Sequence, residues 1–272
     1  MSLPADTHMG AVHLSVADLR RSLAYYRDAI GLDVIDEGGG EASFGADATE
    51  LLHLVEQPGA RPADGYAGLY HVALLLPERR DLARWLAHAA RARVPLVGAS
   101  DHFVSEAIYL RDPDHHGIEI YWDRPRARWE GQVQRMGTWP LDLDDLLGEL
   151  DGGDEFERQP PATRVGHVHL RVAAIDDTVS FYAGVVGFDL MAELGHQAAF
   201  LSAGGYHHHL GANTWESRGA APAPTDTARL LGFTIVLPDE ATRREFASRV
   251  GADDDGTARD PSGNVFALAP AG

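Results

Sequence analysis

Val12–Asp33 reads VHLSVADLRRSLAYYRDAIGLD, and Val168–Asp189 reads VHLRVAAIDDTVSFYAGVVGFD. The offset between the two stretches is constant at 168 − 12 = 156 residues. Val, His, Leu, Val, Ala, Tyr, Gly and Asp recur at identical places, and most other apolar positions stay apolar. Self-similarity at a fixed offset marks a duplicated architecture.

Each copy reads as strand, helix, strand. Val12–Val16 alternates like a half-buried strand. Asp18 is a good N-cap, and Leu19, Leu23, Tyr26 and Ile30 then fall at helical spacing before Gly31 stops the helix. Leu32–Asp36, Ala42–Gly45 and Glu50–Glu56 follow as strands, with a glycine-rich turn at 37–41. A shorter echo runs from the strand Leu69–Leu76 through the amphipathic helix Arg80–Ala92 to strands at Pro95–Val97, Ser105–Arg111 and Gly117–Trp122. The second half repeats this with strands at Arg229–Leu237 and Asn264–Ala269 around a helix at Glu240–Val250.

The pattern predicts an α+β fold of four βαβββ modules paired into two half-open mixed-sheet barrels. Residues 8–125 are expected to form a first domain with the functional site, and residues 164–270 a second domain with a degenerate site. Residues 126–163, rich in Asp, Gly and Pro, form the linker, with a helical turn or two at Asp142–Leu150.

Composition narrows the function. Hydrophobic residues make up 44 % and charged residues 24 % of the 272, the profile of a soluble globular chain. Lys+Arg is 23 and Asp+Glu is 41, a net charge of −18 that repels phosphate backbones and anionic lipid. Nucleic acid and membrane surfaces are therefore set aside as partners. With no cysteine, disulfides, thiolate nucleophiles and Cys-based metal sites are excluded, so a metal must sit on His, Asp, Glu, amides or water. No signal peptide and no membrane-length apolar run is visible, which makes the cytoplasm the default location.

Three residues on separate strands draw attention. His13 and His71 lie on the first strands of modules one and two, and Glu119 on the last strand of module two. If those two modules curl together, inward residues from the three strands converge. Two imidazoles and one carboxylate on one face leave about three positions of an octahedral ion open, as in non-haem Fe(II) oxygenases. Glu119 points away from the face of Ile118 and Ile120, and a buried carboxylate there needs a cation. The blander reading has Glu119 in solvent and the histidines as ordinary strand residues.

The strings VHLSVADLRRSLAYY, GLYHVALLLPERRDL, DHFVSEAIYLRDPDHHGIEIYWDRPR, GHVHLRVA and FLSAGGYHHHLGANTW together resemble the vicinal-oxygen-chelate superfamily, which also includes glyoxalases and bleomycin-resistance proteins. Within it they are most similar to two-domain bacterial ring-cleaving dioxygenases. The resemblance implies Fe(II), with Mn, Zn or Ni as alternatives, bound by His13, His71 and Glu119. It implies extradiol opening of a small catechol-type or hydroquinone-type aromatic by O2. It places Tyr109, ten residues before Glu119, against a substrate oxygen, and His102 as an acid/base or orienting group. The sequence leaves room for a homo-oligomer.

His169 is the repeat partner of His13, but Gly232 and Ala267 stand where His71 and Glu119 would recur. His169 with His207, His208 or His209 could form a separate two-histidine site, against the plainer reading of a degenerate copy. His115 and His116 read as solvated turn residues, and Asp142–Asp145 as a surface cap. Two competing functions stand beside the dioxygenase. One is a glyoxalase-like lyase or isomerase using Zn or Ni with a fourth ligand from Glu50 or His53. The other is a non-enzymatic small-molecule-binding resistance protein.

Overall fold

A computed structural model describes residues 2–151 and 154–272. Module one comprises β1 (His8–Val16), α1 (Leu19–Ala24), β2 (Asp33–Gly38), β3 (Glu41–Ala46) and β4 (Thr49–Glu56), followed by the short β5 (Arg61–Pro62). Module two comprises β6 (Gly68–Leu76), α2 (Arg79–Ala92), β7 (Gly98–Asp101), β8 (Ser105–Arg111) and β9 (Gly117–Asp123). The linker carries β10 (Trp139–Pro140) and α3 (Leu143–Leu147). Module three comprises β11 (Arg164–Arg171), α4 (Ile175–Val179), β12 (Asp189–Leu194), β13 (Ala198–Ser202) and β14 (Leu210–Asn213), with β15 (Thr227–Ala228) after it. Module four comprises β16 (Leu230–Leu237), α5 (Glu240–Val250), β17 (Thr257–Arg259) and β18 (Val265–Pro270). The fold is mixed α+β, as the repeat implies.

The helices follow from local chemistry. Asp18, Asp142 and Asp239 each accept a backbone N–H of the first turn of α1, α3 and α5. Glu78 and Asp81 form a reciprocal capping box on α2, which buries Leu82, Trp85, Leu86 and Ala89. In both repeat copies the first helix runs on into a π-helical turn, at Tyr25–Ile30 and Ser180–Val186, and ends on a left-handed glycine, Gly31 or Gly187.

Sheet pairing departs from the expected order of modules. One sheet runs β17-β18-β16-β1-β4-β3-β2 and the other β10-β7-β8-β9-β6-β11-β14-β13-β12. Module one therefore pairs with module four, and module two with module three. β1 is bonded on its two edges by β4 and β16, with His13 between His53 and Gly232. β6 is bonded by β9 and β11, with His71 opposite His169. Neither strand has an edge left for the other, so modules one and two do not curl together.

Modules one and two are instead held through side chains. Tyr26, fully buried on the π-turn, donates its O–H to Asp112 at 2.9 Å, and Asp112 accepts the backbone N–H groups of Asp114 and His116 in the turn before β9. His116 Nε2 meets the Ser15 carbonyl at 2.9 Å, and Asp114 bonds Arg21 and the Ala17 N–H. His116 is thus buried, contrary to the solvated reading, whereas His115 stays exposed. The second half repeats the device: Tyr182 donates to Asp260, which accepts from Ser262 and Asn264.

The linker is clamped electrostatically to α2. Arg79 bonds Asp145, Glu149 and buried Glu106, while Arg80 and Arg84 both bond Asp154. A 3-10 turn at Val133–Arg135 precedes Met136, which with Gln134, Gly137 and Thr138 reaches the concave face of the nine-stranded sheet.

Burial pushes the Asp112 carboxyl up, so its phenol partner matters. Tyr26→Phe removes one charge-type hydrogen bond from a dry site and should cost about 1.5–3 kcal/mol. Tyr182→Phe should cost a similar amount, and the double variant close to the sum because the sites share no partners. Urea unfolding of the three variants checks this.

Candidate metal centre

The concave face is built by strand alternation. His71, Ala73 and Leu75 alternate along β6, so their side chains share one face. In register, Ala73 has Glu119 of β9 on one side and His167 of β11 on the other. Tyr109 of β8 stands opposite Glu119. A buried methyl at Ala73 leaves the space above it to the three larger side chains around it.

Two glycines permit this approach. A Cβ at Gly117 would lie 1.9 Å from the Tyr70 carbonyl oxygen, so only glycine lets β9 begin so close to β6. A Cβ at Gly166 would lie 1.8 Å from the Tyr121 hydroxyl, beside the irregularity between Val165 and His167 that re-aims β11.

The result is a compact triangle. His71 Nε2 lies 2.9 Å from Glu119 Oε2, His167 Nε2 lies 3.1 Å from the same oxygen, and the two Nε2 atoms are 3.3 Å apart. All three residues are buried. Donors on one face of an octahedron, each about 2.1 Å from an ion, stand roughly 3.0 Å apart. Two imidazole nitrogens and a carboxylate oxygen at these separations fit one divalent cation. It is the one group of three or more candidate donors among the described residues. Burial works to raise the Glu119 carboxyl, but His167 and His71 outweigh it and hold the group well below the ordinary carboxylate range. Burial pushes His167 down against the pull of Glu119, which favours the neutral form that a metal needs.

His13 does not belong to this group. It sits on the other sheet with its ring 5.0 Å from His53, and His53 is bonded to Ser43, Glu50 and Glu41. The cause is the module pairing: β1 lines the sheet of modules one and four. His167 takes the expected place of His13. The missed signal is the string Gly166-His167-Val168-His169, which puts two imidazoles on one strand face. The repeat directs attention to His169, yet the residue that completes the triangle is His167, two residues earlier. His169 instead packs edge-on to His71 at 4.9 Å and bonds Asn213.

Tyr109 and His102 meet beside the triangle. His102 Nε2 is 2.7 Å from the Tyr109 hydroxyl, and His102 Nδ1 is 2.6 Å from the Gly137 carbonyl. A carbonyl only accepts, so Nδ1 carries the proton and Nε2 accepts from the phenol. Burial, reinforced by the Glu119 charge, pushes the Tyr109 phenol well above its ordinary value, so it remains a donor.

Tyr206–His209 lies in the loop between β13 and β14. His208 lines the cavity with its ring 4.1 Å from that of His167. Its Nδ1 meets His207 Nδ1 at 2.8 Å, and His207 Nε2 meets Asp123 at 2.7 Å. Asp123 also accepts from Tyr206 at 2.8 Å. The Asp123 carboxylate accepts from His207 Nε2–H, so between neutral rings His207 Nδ1 accepts from His208 Nδ1–H and His208 Nε2 is left unprotonated. His209 turns away to Ser202 and the Ala203 N–H. These histidines therefore have separate partners and do not join His169 in a second site.

Around the triangle lies a cavity of about 440 Å³, lined by β6 to β9, β11, β12 and the linker. No described helix is long and apolar enough to cross a membrane.

The model of the Glyoxalase/Bleomycin resistance protein/Dioxygenase superfamily matches residues 8–120 and 164–255. The chain belongs to that superfamily. It is 40 % identical over 257 residues to a protein named catechol-2,3-dioxygenase from Bacillus subtilis (strain 168), covering 92 % of this chain and 89 % of that one. Among solved structures, a candidate dioxygenase from Bacillus subtilis subsp. subtilis str. 168 aligns with a TM-score of 0.67 at 14 % identity, over 99 % of this chain and 86 % of the other. Glyoxalase I from Zea mays aligns with a TM-score of 0.56 at 12 % identity, over 97 % and 92 %. At those identities the structures speak for the shared superfamily fold alone.

Burial holds His169 and His208 well below the ordinary imidazole value of 6.5, and pushes His209 down to about 3. Below about pH 6.5 the unfolded chain takes up protons that the folded chain refuses. Stability is therefore full above that pH and falls beneath it, by up to about 1.4 kcal/mol per pH unit for each histidine. The urea midpoint of metal-free protein should drop steeply between about pH 7 and pH 5.5. A flat midpoint over that interval would contradict the buried neutral assignment.

Proposed function

We propose that the chain is a metal-dependent extradiol dioxygenase that opens a catechol-type or hydroquinone-type ring with O2, using Fe(II) on His71, Glu119 and His167. The observation that carries this reading is the triangle of donors on the wall of a cavity of about 440 Å³. The relative named catechol-2,3-dioxygenase supports the same chemistry. Ferrous iron there would supply Lewis acidity and a common template for O2 and the ring oxygens, two vicinal ones in a catechol and one in a hydroquinone. Mn is compatible with the same donors; Zn or Ni belongs to the lyase alternative.

The chain's own residues supply the rest. Tyr109, a phenol held protonated, would turn its one O–H from His102 Nε2 to oxygen charge developing on the ring. His102 fixes the phenol's orientation, and the Gly137 carbonyl of the linker fixes His102. His208, neutral with Nε2 unprotonated, is placed to take a proton from a phenolic oxygen. His207 and Asp123 keep it in that tautomer. The lyase reading needs a fourth donor from Glu50 or His53, and both stand on the other sheet.

Anaerobic loading with Fe(II), followed by O2 uptake on a panel of catechols, tests the proposal. Uptake with a yellow ring-opened product is expected. His167→Ala should cost more than the roughly 10–100-fold in metal affinity typical of losing an outer-shell partner. His13→Ala should leave both affinity and turnover close to the parent. The opposite pattern would restore His13 as the ligand and remove the basis of the reading.

A further inference from the structure

Resting on the dioxygenase reading, we infer that the cavity selects catechols bearing an uncharged apolar arm, aryl or alkyl, and rejects carboxylated ones. Three independent features carry this.

The first is size. A cavity of about 150 Å³ is enough to hold benzene. The cavity here is about 440 Å³, so a bound catechol leaves room for a second ring or a branched chain.

The second is the wall beyond the donors. Val97, Met136, Ala192, Leu194, Phe200 and Trp215 come from the α2–β7 connection, the linker, β12, β13 and the loop after β14. Val97, Leu194 and Trp215 remain 67 %, 52 % and 49 % exposed. Large apolar side chains gathered at one opening from separate segments mark a surface that an apolar ligand would cover.

The third is charge. The chain has no lysine, and Arg111 is the single arginine among the cavity-lining residues. Its guanidinium already faces Asp64 at 3.5 Å and Glu216 at 3.9 Å. Arg171 nearby faces Glu216 at 3.7 Å and donates to the Ala63 carbonyl. Glu193 adds an exposed anion to the lining, and the chain carries a net charge of −18. A substrate carboxylate would lose water without gaining a free cation.

Two measurements on the intact protein separate this inference from the reading beneath it. The first is calorimetric binding of hydroxybiphenyl and hydroxybenzoate, monophenols that ring cleavage does not consume. The second is kcat/KM of the Fe(II)-loaded protein on phenyl-substituted catechol, unsubstituted catechol and dihydroxybenzoate. The apolar member should lead the carboxylated one by at least about tenfold in both. Leu194→Arg, at an exposed position, should narrow that ratio by about threefold or more. Equal or better use of the carboxylated compounds, or a ratio unmoved by Leu194→Arg, would overturn the selectivity. Tight hydroxybiphenyl binding with no catechol opened would leave the selectivity standing and sink the dioxygenase reading instead.

Discussion

The antiparallel pairing of β6 with β11 is the contact on which the site depends. It joins module two to module three and sets His71 opposite His169, with His167 beside Ala73. Side chains alternate across a strand, so a slip of one residue would turn the imidazoles of β11 to the far face. The irregularities on either side of His167 and His169 pin that register, and Gly166 admits the close approach that they require. On the other edge of β6, Gly117 does the same for β9 and Glu119.

That arrangement creates an electrostatic demand. Glu119 is buried and faces two imidazole nitrogens within about 3 Å, so a carboxylate oxygen and two ring nitrogens converge on one point. A cation at that point satisfies all three groups, whereas a single shared proton satisfies them only in part. Outside the triangle, burial and the Glu119 charge keep the Tyr109 phenol protonated while His102 and the linker carbonyl orient it, and His207 with Asp123 sets the tautomer of His208. The linker is thus part of the cavity wall, through Gln134 and Met136 to Thr138.

The duplicated string at 12–33 and 168–189 carried the fold class, because hydrophobic period and caps are local properties. His71, Glu119 and the Tyr109–His102 pair were also legible, since all lie within one module whose strands neighbour one another. His13 was misplaced for a non-local reason. The repeat defines four modules but not which of them share a sheet, and either pairing satisfies the same hydrophobic pattern. The second barrel shows the consequence. The counterparts of His167, His71 and Glu119 there are Ala11, Gly232 and Ala267, none of which can ligate. Reading the donors as one face of β6, β9 and β11, rather than as repeat positions, would have found His167.

The proposed chemistry requires three donor atoms from modules two and three to share one ion. Anomalous X-ray diffraction from crystals of the Fe(II)-loaded protein tests that directly. A single iron peak about 2.1 Å from His71 Nε2, His167 Nε2 and a Glu119 carboxylate oxygen is predicted. A peak beside His13 and His53, or none on either sheet, would contradict it.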